Sequence, residues 1–202
     1  MERFLDALAS GAPTPGGGGA AALTGALSAA LASMVANLTT GKKRYAAYQA
    51  EIDDILTRTA DLKDALYGFI ARDAAAFEPL SRAYGIPKDA PGRAETLEAA
   101  LHAAAEVPLA LLETLCKLPP ILDRLTVIGS KLAVSDVGCS AALCRGAAEC
   151  AALNVYINTK LMKDADFAAA LNARTAAACQ AILPACEAVY AAVAARVKGE
   201  QA

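Results

Sequence analysis

Two prolines and four glycines, in Pro13-Thr14-Pro15-Gly16-Gly17-Gly18-Gly19, lead into a run from Ala20 to Leu38 that holds no charged residue. A run of that length meets the criterion for a bilayer span. The chain must therefore either cross a membrane or bury this segment among its own helices. Its composition points to burial. Leu23, Leu27, Leu31, Met34 and Leu38 form one stripe at helical spacing, and Gly25, Ala29, Ser33 and Ala36 form a second stripe of small residues. Ala, Gly, Ser and Thr add little transfer free energy, so insertion into lipid is weakly driven and no membrane partner is expected. The reading is a core helix buried on most sides. Its small stripe admits another helix at close range, from the same chain or from a second subunit.

The same excess of alanine runs through the whole chain, where 56% of 202 residues are hydrophobic and 20% are charged. Nothing alternates at period two over a useful length, and helical periodicity dominates. A net charge of -2 provides no basic field for a polyanionic duplex, which excludes nucleic acid as the first partner to consider. The chain opens on Met1-Glu2-Arg3-Phe4 without a signal-like segment, so its six cysteines are expected reduced, in a cytoplasmic protein. Their spacing does not suit a metal. Cys139 and Cys144 lie about 140° apart on a helix, and Cys179 and Cys186 share a face without further ligands, so all are expected as small buried hydrophobes.

Read along the chain, the pattern predicts an all-α fold, a single-domain bundle of six or seven helices over residues 1–202, several of them long and kinked at proline. A short amphipathic segment covers Glu2 to Ala9 and breaks at the Pro/Gly run. After the uncharged helix, Thr39 to Arg44 opens a long helix that reaches about Tyr84 and stops at Gly85-Ile86-Pro87. A helix from about Arg93 to Lys117 carries Pro108 in its interior, and Pro119-Pro120 starts a short one. Ser135 or Asp136 is the expected N-cap of a helix to about Lys163. Asp164 or Asp166 is expected to cap the last helix, which Pro184 bends.

The usual catalytic constellations are missing. His102, the only histidine, sits on an Ala-rich helix, no phosphate-binding Lys loop is present, and no strand precedes the glycines as a dinucleotide fingerprint requires. What stands out is polarity in apolar surroundings. Asp73 falls in the inner stripe of the long helix, four residues from Phe69 and from Phe77. It is either a proton carrier with a raised pKa or a carboxylate that pairs with a buried Arg or caps a neighbouring helix. Asn154 and Asn158 share one helix face and can hold the amide edge of a heterocycle or link two helices. Gly16 to Gly19 can offer backbone N–H groups at a helix start. Lys42, Lys43 and Arg44 form a basic cluster of which at least one member faces solvent. These residues describe a cleft with a carboxylate and leave the reaction open.

Taken in order, the segments resemble the cyclodeaminase/cyclohydrolase family of folate enzymes. The resemblance is carried by Pro13-Thr14-Pro15-Gly16-Gly17-Gly18, Met34-Val35-Ala36-Asn37-Leu38-Thr39, Gly41-Lys42-Lys43 and Arg72-Asp73-Ala74-Ala75-Ala76-Phe77. It continues in Ala83-Tyr84-Gly85-Ile86-Pro87-Lys88, Ala105-Glu106-Val107-Pro108-Leu109, Ser135-Asp136-Val137-Gly138 and Leu153-Asn154-Val155-Tyr156-Ile157-Asn158. It implies an all-helical homodimer that takes a reduced folate as substrate, with or without a polyglutamate tail, and holds no permanent cofactor and no metal. It implies Asp73 as the catalytic acid/base. Gly16, Gly17 and Gly18 would shape the pocket, Asn154 and Asn158 would bond the pterin or a helix across the cleft, and Lys42 and Lys43 would meet the glutamate tail. Gly19 departs from the family, which often carries a Ser there.

The first implied reaction is formimidoyltetrahydrofolate cyclodeamination, which closes 5-formimidoyltetrahydrofolate to 5,10-methenyltetrahydrofolate and releases ammonia. The alternative is methenyltetrahydrofolate cyclohydrolysis to 10-formyltetrahydrofolate, toward which the lack of a fused transferase half leans. A folate-binding or interaction domain without catalysis is the non-enzymatic reading.

Overall fold

The computed structural model describes residues 2–200. Among these, seven α-helices follow one another without a strand: α1 (Glu2–Leu8), α2 (Gly17–Asn37), α3 (Gln49–Tyr84), α4 (Arg93–Leu115), α5 (Leu118–Ile128), α6 (Val134–Thr159) and α7 (Ala165–Lys198). The all-α expectation holds. Prolines stand inside α3, α4 and α7 at Pro79, Pro108 and Pro184, and Pro119 and Pro120 occupy the first turn of α5, where their missing N–H groups have no helical partner to lose.

α2 is the central element, packed between α3 and α6, and its small-residue stripe is the face that admits them, within the same chain. Ala22, Gly25, Ala29, Ala32 and Ala36 face inward and are buried. The large stripe faces out, with Leu27, Met34 and Leu38 exposed at 43%, 39% and 44%. The reason is distance. A Cβ on Gly25 would stand 2.9 Å from Leu115 Cδ2 and 3.5 Å from Leu66 Cδ2, so leucines from α4 and α3 fill the space beside the α2 backbone. A large residue of α2 on that side would displace them. The expected core helix is thus buried on its small face only.

The register between α2 and α6 is set by a reciprocal hydroxyl clasp. Ser28 Oγ donates to the Ser140 carbonyl at 2.8 Å, and Ser140 Oγ donates to the Ser28 carbonyl at 2.8 Å. Both serines are fully buried, so only matched pairing keeps the clasp from costing stability. α2, the α4–α5 region and α7 each hold an apolar window long enough to cross a bilayer; 56% of the α2 window is buried within this fold.

Several local expectations change. Gly17 to Gly19 are not a loop before the helix but the first turn of α2, with Gly16 as N-cap. α6 starts from a short 3-10 turn with Ala133 at its N-cap, so neither Ser135 nor Asp136 caps it. At α7 the expected cap forms, with Asp164 accepting from the Phe167 N–H at 2.9 Å. Only Cys144 and Cys186 are buried cysteines; Cys139 and Cys150 are exposed because α6 turns that face away from its neighbours.

Replacing Gly25 by Val tests the close approach. Urea unfolding should show a loss of about 1–3 kcal/mol from overpacking against Leu115 and Leu66; an unchanged midpoint would mean the contact yields freely.

Candidate active site

The N-terminal turn of α2 closes one end of a cleft of about 270 Å³ whose other walls come from α3, α4 and α6. Asp73 of α3, Asn154 and Asn158 of α6, and Gly16, Gly17 and Gly18 all line it. The structure thus brings together six of the eight site residues expected from sequence. Phe77, Leu80, Ile157 and Leu161 supply apolar wall, and Thr14 and Tyr84 add hydroxyl groups. Among the described residues that line it there is no Lys, Arg or His, and Asp73 is the one carboxylate.

Asp73 is placed by glycine. A Cβ on Gly18 would lie 2.0 Å from Asp73 Oδ1, inside the van der Waals contact of any real pair, so the carboxylate occupies the space that a side chain at 18 would need. Gly17 plays the same part for the neighbouring amide, since its Cβ would approach Asn154 Nδ2 to 3.0 Å. Gly16 lines the cleft, but a Cβ there would meet nothing within 4 Å. Glycines are poor helix formers. They begin this helix because two polar side chains from other helices sit against its first turn.

The position combines the two readings left open by the sequence. Asp73 lies against the first turn of α2, close enough to the Gly19 backbone N–H for that group to favour its ionised form, and it also faces the cleft. Burial pushes its carboxyl above the ordinary aspartate range, and the Gly19 N–H offsets part of that shift. No cation compensates it: the adjacent Arg72 turns away and stacks over Phe69, 4.2 Å from the ring centroid. A desolvated carboxylate without an ion-pair partner can take up and release a proton closer to neutrality than a surface aspartate.

Asn154 Nδ2 donates to the Cys150 carbonyl at 2.8 Å, while Asn158 Nδ2 donates to the Asn154 carbonyl at 2.8 Å and across to the Ala104 carbonyl of α4 at 3.3 Å. The second pairing shows the expected link between helices. Lys42 and Lys43 are elsewhere. They follow the C-terminal end of α2, exposed, about 30 Å of helix away from Gly17. A contact from these lysines to a ligand in this cleft is not made within the chain, because α2 runs straight between them.

His102 also lies outside the cleft. It stacks on Phe167 at 4.1 Å and meets a Glu98 oxygen at 3.3 Å, and Glu98 accepts from the Lys163 and Asp164 N–H groups ahead of α7. Sequence reasoning missed Tyr84, Thr14 and the role of Ala104. Tyr84 was visible only as the end of a helix, and Ala104 acts through its backbone, which no side-chain pattern reports.

An all-α fold with one cleft that gathers a carboxylate, two amides and two hydroxyls defines a candidate small-molecule site. A family model described as Formiminotransferase-cyclodeaminase matches residues 1–177, and the chain belongs to that family. It is similar to a methenyltetrahydrofolate cyclohydrolase from Methylorubrum extorquens, 42% identical over 172 residues that cover 83% of each chain. It is 34% identical to the formimidoyltransferase-cyclodeaminase of Sus scrofa over 86% of this chain, and spans about a third of that longer protein, 33%. The crystal structure of formiminotetrahydrofolate cyclodeaminase from Thermotoga maritima superposes with a TM-score of 0.83 at 29% identity, covering 96% of both chains.

The raised pKa of Asp73 has a consequence for stability. A carboxyl that holds its proton more tightly folded than unfolded favours the fold below the unfolded-state value, and that contribution is lost as pH rises through the folded value. Asp73→Asn should therefore raise the melting temperature at neutral pH, with the gain shrinking as pH falls into the ordinary carboxylate range. Melting curves across that range check it; a gain independent of pH would contradict the burial argument.

Proposed function

We propose that this protein is an enzyme of reduced-folate one-carbon metabolism that acts at the N5–N10 bridge, with Asp73 as its proton carrier. The observation that carries the reading is the Asp73 carboxylate, partly desolvated and without a cation, facing a cleft that also holds two amides and two hydroxyls. The methenyl bridge is a delocalised cation, and a protonated formimidoyl group is one too. Each is stabilised by a carboxylate in a site of low polarizability. The cleft volume suits the pterin ring and bridge, leaving the tail outside.

Two reactions share this chemistry. In cyclohydrolysis, water adds to the bridge carbon as ionised Asp73 takes one of its protons. The C–N5 bond of the tetrahedral adduct then breaks as Asp73 returns its proton to N5 and the hydroxyl releases its own to solvent, leaving 10-formyltetrahydrofolate. In cyclodeamination, N10 attacks the formimidoyl carbon and its proton passes to the former imine nitrogen; the protonated acid delivers a second proton there, and ammonia leaves behind the methenyl bridge. Asp73 serves as base in the first and acid in the second, which a raised pKa permits. Likeness over most of both chains to the Methylorubrum cyclohydrolase favours hydrolysis. Likeness of the whole fold to the Thermotoga cyclodeaminase favours deamination, the reaction put first from the sequence.

The outward stripe of α2 supports a homodimer. Ala20, Leu23, Leu27, Leu31, Met34 and Leu38 share one uncharged face, and the pairing we propose sets two such helices antiparallel, with the two-fold axis running across them. That pairing carries the lysines after one α2 toward the N-terminal turn of the other, which is where Lys42 and Lys43 could meet a glutamate tail. The six unpaired cysteines fit a reducing, cytoplasmic location.

Absorbance of the methenyl chromophore separates the reactions: its loss above the buffer rate reports hydrolysis, and its growth from 5-formimidoyltetrahydrofolate reports deamination. In either assay Asp73→Asn should lower kcat by about 10²–10⁴-fold. Gly18→Ala should lower it comparably while the protein stays folded. If the wild type is active and Asp73→Asn keeps full rate, the assignment is wrong. Leu27→Glu with Leu31→Glu should halve the mass seen by sedimentation, from a dimer to the 20.6 kDa chain; an unchanged mass would move the interface elsewhere.

A further inference from the structure

Pro108 stands inside α4 where that helix lines the cleft. Proline has no N–H, so it cannot donate to the carbonyl one turn earlier, that of Ala104. The vacated acceptor is taken by Asn158 of α6, whose Nδ2 also donates to the Asn154 carbonyl. Both amide hydrogens of Asn158 are thereby committed to main-chain oxygens. Turning the amide over would set Oδ1 against those same two carbonyls with no proton between them, so the partners dictate its orientation.

What is left is Oδ1, which takes part in no hydrogen bond among the described residues. Every buried side-chain nitrogen or oxygen among the described residues has a partner. Asn158 Oδ1 is therefore accessible, and Asn158 lines the cleft. Asn154 repeats the arrangement with a single anchor, its Nδ2 held by the Cys150 carbonyl. At Asn158 a ligand meets the amide oxygen, whereas Asn154 keeps one amide hydrogen uncommitted beside its oxygen.

We infer that Asn158, oriented by the carbonyl that Pro108 frees on Ala104, selects a ligand edge presenting adjacent N–H donors, and that Pro108 is a positioning residue for this recognition. Resting on the folate reading, that edge is the pterin N3–H with its 2-amino group. With alanine at 108, the new N–H would reclaim the Ala104 carbonyl within α4. Asn158 would then hold one anchor, and its amide could turn to offer hydrogens where the ligand also has them.

The test compares 5,10-methenyltetrahydrofolate with its 2-desamino-2-methyl analogue, which lacks the amino donor, by steady-state kinetics. The wild type should show a KM about tenfold higher for the analogue at similar kcat. Asn158→Leu should bring the two KM values together. Pro108→Ala should raise KM for the natural substrate several-fold with kcat held and the melting temperature not lowered, since alanine favours the helix. On the Asn158→Leu background it should add nothing. A Pro108→Ala effect of equal size on that background would assign proline a packing role and overturn the inference. A wild type that turns over both substrates alike overturns it too, leaving the folate reading intact. No turnover and no calorimetric binding of either compound would overturn both.

Discussion

The constraint on which this fold depends is the close approach of α2 to α3 and α6. A helix surface built of Gly, Ala and Ser lets neighbouring backbones come within reach of one another, as the Ser28–Ser140 clasp and the Leu115 contact at Gly25 show. The large residues that would ordinarily drive burial are excluded from that face by volume. They are displaced to the outside, where they form an apolar surface that the chain does not cover itself. The hydrophobic effect is thus served by many small contacts inside and leaves its largest side chains on α2 for another surface.

The site inherits this closeness. Because α2 starts hard against α3 and α6, a carboxylate from one and an amide from the other meet its first turn, and only glycine leaves room for them. The Gly19 N–H at the helix start favours the ionised Asp73, yet desolvation outweighs that help and holds its pKa up. Pro108 contributes from the opposite wall by withholding an N–H instead of a side chain. Two residue types commonly read as breakers therefore act here through what they lack, a Cβ in one case and a hydrogen-bond donor in the other.

Much of this was legible before the fold was known. Period 3.6 without strands gave the helical class, the punctuation at Gly85-Ile86-Pro87 and Asp164 placed real ends, and Asp73 was conspicuous as a carboxylate within an apolar stripe. Other features were not. Which face of α2 turns inward depends on the shape of its neighbours, and two stripes on one helix leave that choice open. The glycines read as a loop because propensity disfavours them in helices, whereas a tertiary contact requires them there. Ser135 and Asp136 had the chemistry of caps, but a preceding 3-10 turn started α6 earlier.

The sequence by itself determined an all-helical chain, the identity of the carboxylate and the two amides, and the family to which they belong, because these follow from residue type and order. Tertiary structure alone decided that Asp73 shares its space with Gly18, that Lys42 and Lys43 lie a helix length away, and that Asn158 turns its oxygen to the cleft. Those outcomes depend on distances between segments far apart in the chain, and a residue pattern carries periodicity and chemistry but no separation in space.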